Sequence, residues 1–145
     1  MWARRRSRRA LVQAVYQWQV SSNSLSSIRQ DFHESDALKK ADRDLFDELL
    51  ELVTHQASHL DEHYAPLLDR SVEQLDLIER AVLRLATAEF AHRIDVPYRV
   101  VIDEYVELTK VFGAQDAYKY VNGVLDGLAG KLRQVEVDYA RNAPG

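Results

Sequence analysis

Apolar residues recur along this chain at intervals of three and four positions, which is the spacing of one face of an α-helix. The strict alternation typical of a half-buried strand forms no convincing run. Only three prolines and five glycines interrupt the helical pattern. The sequence therefore predicts an all-α bundle, and 145 residues are enough for one domain with one core.

The periodicity places six helices along the chain. They are a helix from about Arg5 to Val20, a short one with Leu25, Ile28 and Phe32, a long one with Leu45 to Leu60, one at Leu77 to His92, one with Val100 to Leu108, and a last one with Ala117 to Leu132. The helix at Leu77 to His92 is apolar on opposite sides, which predicts a central position in the bundle. We expect residues 1–135 to form one helical domain with a basic N-terminal segment, and 136–145 to be a flexible tail with little to bury.

Several residues mark the predicted ends of these helices. Asp42 and Asp116 are the expected N-caps of the third and the last helix. Ser71 to Gln74 has the form of a capping box, so a helix should begin just beyond it. Pro66 should interrupt the third helix, and Gly113 should end the fifth as its C′ residue.

The charge of the chain is divided unevenly along its length. The net charge is −4, but residues 1–30 carry six arginines and no acid, which leaves 13 basic and 23 acidic residues in the rest. A basic N-terminal segment on an otherwise acidic chain suggests that an anionic partner binds at the N-terminal end. The alternative is an unstructured solubilising tail.

Two helix flanks carry residues suited to single-stranded RNA. Arg5, Arg9 and Tyr16 share a flank of the first helix, where guanidinium groups would bind phosphates and the tyrosine ring would stack on a base. On the last helix, Tyr120 shares a flank with Gly123 and Gly127, and Lys119 lies beside it. The alternatives are edge packing of Tyr16 and close helix approach at the glycines.

Candidates for catalysis and metal binding are weak. His55, His59 and His63 are four residues apart, but Gln56 stands where a metalloprotease helix would have its glutamate. Glu89 projects into an apolar stripe, where a structural tie to a backbone amide or a tyrosine hydroxyl is favoured over a role as general acid or base. We predict neither an enzyme nor a cofactor.

The segment after Arg9 does not resemble a secretory signal, because Gln13, Gln17 and Gln19 interrupt it. No apolar run approaches the ~20 residues needed to cross a bilayer. The chain has no cysteine, which excludes disulfides and is consistent with a reducing compartment. We therefore expect a soluble, cytoplasmic protein without a membrane partner.

Four segments together resemble the NusB family of bacterial transcription antitermination factors. They are residues 4–18 (RRRSRRALVQAVYQW), 78–84 (IERAVLR), 95–98 (DVPY) and 120–126 (YVNGVLD). The most specific part of the resemblance is Phe112-Gly113-Ala114 followed, at this spacing, by residues 120–126. The resemblance extends from Arg4 to about Arg133.

The resemblance implies a compact fold of about seven helices and a non-catalytic role. Members of the family pair with NusE, a ribosomal small-subunit protein, bind boxA RNA with it, and act with other Nus factors and RNA polymerase, notably on rRNA operons. By position, it implies RNA contacts from Arg4, Arg5 and Arg8 with Tyr16 beside them, and from Lys119 and Tyr120. It links Glu79 with NusE pairing and Asp116 with RNA affinity, so both are assigned to partner binding. Arg9 departs from the pattern, in which an acidic or neutral residue is expected.

Two other functions remain open at this point. One is a stand-alone relative of the RNA-binding domain of rRNA cytosine methyltransferases, although 145 residues leave no room for a cofactor domain. The other is a helical protein-interaction module with no direct role in RNA binding. The sequence does not fix the oligomeric state, and a homodimer is possible.

Overall fold

Seven α-helices make up most of residues 2–143, the part of the chain that this computed structural model describes. Their bounds are α1 (Trp2–Val20), α2 (Leu25–Glu34), α3 (Arg43–Tyr64), α4 (Leu77–His92), α5 (Tyr98–Phe112), α6 (Ala117–Leu132) and α7 (Gln134–Asn142). Short 3-10 turns occupy Asp36–Leu38, Ala65–Leu67 and Val72–Gln74. The predicted all-α fold is confirmed, and no strand occurs between residues 2 and 143. Met1 of the basic segment and Pro144 and Gly145 of the expected tail lie outside this range.

Helix α4 lies at the centre of the bundle, as its all-round apolar pattern predicts. It packs against α1, α3, α5 and α6. Ala81, Val82 and Leu85 are buried on one side, and Leu83, Ala86 and Phe90 are buried on others. This position makes α4 the scaffold that orients α1 relative to α5.

The capping residues partly match the sequence predictions. The Asp42 carboxylate accepts the Leu45 N–H at 3.0 Å and caps α3, as expected. The box at residues 71–74 caps the short turn Val72–Gln74 rather than a long helix. Helix α4 has a capping box of its own, in which Asp76 accepts the Ile78 N–H at 2.8 Å and Glu79 accepts the Asp76 N–H at 3.3 Å.

Asp116 occupies the position before α6 but does not cap it through its side chain, so that prediction was wrong. Its backbone is left-handed, with φ 67° and ψ −1°. Its carboxylate lies 3.5 Å from the ammonium group of Lys119. The left-handed turn redirects the carboxylate away from the backbone donors that it was expected to cap.

Gly113 ends α5, as predicted, but for a different physical reason. Its backbone is extended, with φ −88° and ψ 175°, rather than left-handed. A Cβ at this position would lie 2.8 Å from the carbonyl oxygen of Thr109. Glycine is therefore needed here for close backbone approach.

The segment after α6 forms α7, which sequence periodicity did not predict. Val137 is buried, and the Glu136 carboxylate accepts the Tyr98 N–H at 2.6 Å. The segment buries little, as expected, since Val137 is the one buried side chain within Gln134–Asn142, but it is helical. Arg133, directly before α7, anchors this segment. Its buried guanidinium donates to the carbonyls of Phe90 and Val96 at 2.7 and 2.9 Å.

Candidate nucleic-acid interface

The arginines at the start of α1 differ in what surrounds them, and Arg8 is the one that lies in the core. Its side chain is 3% exposed, and it donates to the two Glu89 carboxylate oxygens at 2.9 and 3.0 Å. The Tyr105 hydroxyl donates to the same carboxylate at 2.5 Å. Arg8 was expected to contact RNA, but this geometry leaves it no path to a ligand.

The position of Arg8 on the helix explains its burial. It precedes the buried residues Leu11, Val12 and Val15 by three, four and seven positions, which places it on their face of α1. The tie between Glu89 and a tyrosine hydroxyl, favoured from the sequence, is confirmed. The pKa of Tyr105 is raised well above its ordinary value, and burial is the largest cause. The phenol therefore remains a donor to Glu89.

Arg4 and Arg5 reach the surface but are paired with carboxylates. Arg4 donates to Asp95 at 3.3 Å and lies 3.9 Å from Asp42. Arg5 donates to Glu104 at 3.3 Å, and its side chain is 50% exposed. Both can exchange an acidic partner for a phosphate only by breaking these contacts.

Arg6 and Arg9 are exposed, and neither pairs with a carboxylate within residues 2–143. The Arg9 guanidinium lies over the Phe112 ring, 5.3 Å from its centroid. The family resemblance assigned no role to Arg6 and marked Arg9 as a departure. Helical projection of the sequence places Arg9 on a phosphate-binding flank, and it could have found Arg6 as well, because neither shares the buried stripe that holds Arg8.

A groove of about 600 Å³ runs between α1 and the C-terminal half of α5. Its lining residues are Trp2, Arg5, Arg6, Arg9, Glu104, Glu107, Leu108 and Val111. Both acids already have cationic neighbours: Glu104 pairs with Arg5 and lies 3.7 Å from Arg8, and Glu107 pairs with Lys110 at 3.0 Å. The groove therefore presents uncompensated positive charge from Arg6 and Arg9.

A second groove, of about 430 Å³, continues along α1 towards its C-terminus. It is mainly apolar and is lined by Val12, Gln13, Tyr16, Gln17, Val20, Ile78 and Phe112. Tyr16 is exposed at its rim, as a stacking role would require. Phe112 belongs to this groove and also contacts Arg9, so the two grooves are neighbours on one face. We call the two together the α1 face.

Lys119 and Tyr120, expected to act as a pair on α6, point to different neighbours. The Tyr120 hydroxyl donates to Asp69 at 3.0 Å, and the Arg70 guanidinium covers its ring at 4.6 Å. Lys119 instead lies 6.0 Å from the Tyr118 ring centroid. Successive helical residues diverge by about 100°, which is why Lys119 and Tyr120 point in different directions.

Tyr118 is the aromatic residue with basic neighbours that sequence analysis missed. The Lys110 ammonium group lies 4.9 Å from its ring centroid, and Lys119 approaches from the α6 side. The C-terminal end of α5 thus contributes Phe112 to the α1 face and Lys110 to the Tyr118 cluster. Helix α5 packs against both α1 and α6, and no direct contact joins Arg9 to Tyr120.

Glu79 and Asp116, assigned to partner binding from the resemblance, have clear local environments. Glu79 is largely buried at the start of α4, where burial raises the pKa of its carboxyl. It follows Ile78, which lines the apolar part of the α1 face. Asp116 is exposed in the α5–α6 turn. No contact in the structure tests either assignment.

The histidines of α3 form no metal centre in the described residues. The rings of His59 and His63 pack edge to face at 5.1 Å, and His55 and His59 each have a glutamate within 4.0 Å. Residues 2–143 contain no group of three or more side chains placed to hold a metal ion. None of the helices in that range has the length and apolar character needed to cross a membrane.

Comparison with known proteins identifies a family. The model of the NusB family matches residues 5–130. A protein of Alcanivorax borkumensis named transcription antitermination protein NusB is 50% identical over 139 residues, which are 96% of this chain and 93% of that protein. One of the same name from Cupriavidus pinatubonensis is 46% identical over 93% of this chain and 81% of its own. A solved structure of NusB from T. maritima superposes with a TM-score of 0.74 at 29% identity, covering 88% of this chain and 90% of that one.

Proposed function

The chain is a member of the NusB family, and from this premise we propose that it acts in transcription antitermination by binding boxA RNA together with NusE. In this proposal it is non-catalytic and works with other Nus factors on RNA polymerase, notably in rRNA operons. The relatives named above are transcription antitermination proteins, which supports the broader role. The RNA element and the partners are the finer part of the proposal.

The observation that carries the RNA-binding part is the pair of free arginines on the α1 face. Arg6 and Arg9 are exposed and pair with no carboxylate among residues 2–143, although the chain as a whole is acidic. Guanidinium groups bind phosphates bidentately. Tyr16, on the same face, and Tyr118, at the adjoining end of α6, add aromatic rings on which bases can stack. The combination suits a single strand better than a duplex.

The apolar part of the α1 face supports the partner-binding part of the proposal. Val12, Val20 and Ile78 line it, and Glu79 follows directly on α4. An apolar groove of this kind suits a protein segment that presents apolar side chains. In this arrangement, RNA and protein occupy adjacent parts of one face.

The test is an RNA titration of a charge-deleted variant at several salt concentrations. Arg6→Ala/Arg9→Ala should weaken binding of a boxA RNA in the presence of NusE. The slope of log K against log salt should shrink by about 0.7 for each phosphate of the single strand that the protein no longer neutralises. The matched control is Lys131→Ala/Arg141→Ala, which removes two positive charges from α6 and α7 outside the α1 face.

The two variants together separate a local contact from a general charge effect. We expect the control to keep the wild-type slope. Equal changes in both variants would show that only net charge matters and would contradict the proposed site. Binding of NusE without any binding of RNA would instead favour the alternative of a protein-interaction module.

A further inference from the structure

Trp2 is a large aromatic side chain that the proposed function does not use. It lies in the first turn of α1 and is 73% exposed, so most of the indole surface faces solvent. The Arg5 guanidinium lies 5.4 Å from its ring centroid. An exposed indole at the mouth of a groove offers a large flat apolar surface on which a ligand can stack.

The groove beside Trp2 combines an apolar floor with a basic rim. Leu108 and Val111 supply apolar surface from α5, and Val111 is itself 54% exposed. Arg6 and Arg9 lie along the opposite wall, on α1. Its volume of about 600 Å³ falls within the range of small-ligand sites, about 300–1,000 Å³.

We propose that this groove is a base-binding subsite, in which one unpaired RNA base stacks on the Trp2 indole above Leu108 and Val111 while neighbouring phosphates bind Arg6 and Arg9. This inference rests on the proposed function and adds to it a residue that contacts a base rather than the backbone. Stacking on an aromatic ring tolerates any base, because every base has a π-face. The subsite would therefore strengthen binding without selecting a sequence by itself.

Charge favours a nucleic acid over a protein segment as the occupant. The two carboxylates in the groove, Glu104 and Glu107, are already paired with cations. What remains for a ligand is the positive charge of Arg6 and Arg9. A polyanion with flat apolar rings matches both features of the groove, whereas the basic segments of a ribosomal protein would meet like charge.

Intrinsic fluorescence tests the proposal directly, because the chain has two tryptophans. Trp18 packs against the core at the other end of α1, so its emission serves as an internal reference. A single-stranded boxA RNA, added with unlabelled NusE that lacks tryptophan, should quench the wild-type protein. The quench should vanish in Trp2→Phe. A strand of equal length with abasic residues should keep the salt-dependent binding and lose the quench.

Affinity gives a second readout that separates stacking from folding. We expect Trp2→Ala to weaken RNA binding about 5- to 100-fold and Trp2→Phe to weaken it less, since a smaller ring still stacks. Circular dichroism of both variants should match the wild type, because Trp2 contributes little to the core.

The outcomes distinguish the subsite from the function on which it rests. Wild-type RNA affinity in Trp2→Ala, together with weakened binding in Arg6→Ala/Arg9→Ala, would overturn the subsite and leave the proposed function standing. Absence of RNA binding in every form of the protein would overturn both. Quenching by NusE alone, or by raising the concentration of this chain alone, would assign the groove to a protein contact and overturn the subsite as well.

Discussion

Arg8 shows that residue type and position in a motif do not decide whether an arginine faces a ligand. Six arginines fall within residues 1–30, and the family resemblance selects Arg4, Arg5 and Arg8. The structure buries Arg8 against Glu89 and leaves Arg6 and Arg9 free. A buried ion pair of this kind is costly to break, because the remaining charge is left without a partner.

Arg8→Ala is therefore expected to destabilise the fold, unlike the removal of a surface arginine. We expect a decrease of about 3–5 kcal/mol in the free energy of unfolding, since Glu89 would keep an uncompensated buried charge. Urea unfolding followed by circular dichroism measures this difference. Arg6→Ala is the control and should change stability by no more than about 0.5 kcal/mol. Wild-type stability in Arg8→Ala would contradict the burial seen here.

At the residue scale, the sequence located the basic segment of α1 but not the surroundings of each of its side chains. Burial of Arg8 follows from its spacing to Leu11 and Val15, which the sequence contains. The partner of that charge, Glu89, lies 81 positions away, and no local pattern pairs the two. Tyr118 was missed for a related reason, because its neighbour Lys110 comes from another helix.

At the scale of single elements, the two glycines of α6 have different surroundings. This difference decides for each of them whether it serves close packing, a question that the sequence left open. A Cβ at Gly127 would lie 3.2 Å from the Leu67 side chain, so this glycine serves close packing. A Cβ at Gly123 would meet nothing within 4 Å. The packing interpretation thus fits Gly127 alone, and Gly123 leaves bare backbone on the surface.

Gly123→Ala is expected to stabilise the protein. Alanine is favoured over glycine in a helix interior by up to about 1 kcal/mol, and nothing near Gly123 opposes the added methyl group. Thermal unfolding of this variant should show a higher Tm, whereas Gly127→Ala should gain less or lose stability because Leu67 must move. A lower Tm for Gly123→Ala would mean that the surface of α6 is more crowded than the structure shows.

The ends of elements were less predictable than their existence. The six helices expected from periodicity all occur, because each carries apolar residues at helical spacing that pack against the core. Helix α7 was missed, because it has a single buried residue, Val137, and depends on polar ties through Arg133 and Glu136. Such long-range hydrogen bonds leave no periodic signal in the sequence.

At the scale of the whole molecule, an acidic protein presents unpaired positive charge in the groove between α1 and α5, although exposed basic residues such as Arg99, Lys131 and Arg141 lie elsewhere. The net charge is −4, yet the first 30 residues carry six arginines. Two of these, Arg6 and Arg9, are unpaired among the described residues and line the groove between α1 and α5. Repulsion elsewhere on the surface and attraction at this groove together direct a polyanion to one place.

Photo-crosslinking of a boxA RNA that carries 4-thiouridine, in the complex with NusE, tests this account most directly. Mass spectrometry of the digested complex identifies the crosslinked peptides of the chain. We predict crosslinks to α1, between Trp2 and Tyr16, and to the segment from Lys110 to Tyr118. Crosslinks confined to α2 or α7, with none on α1, would show that the RNA binds elsewhere and would contradict the account.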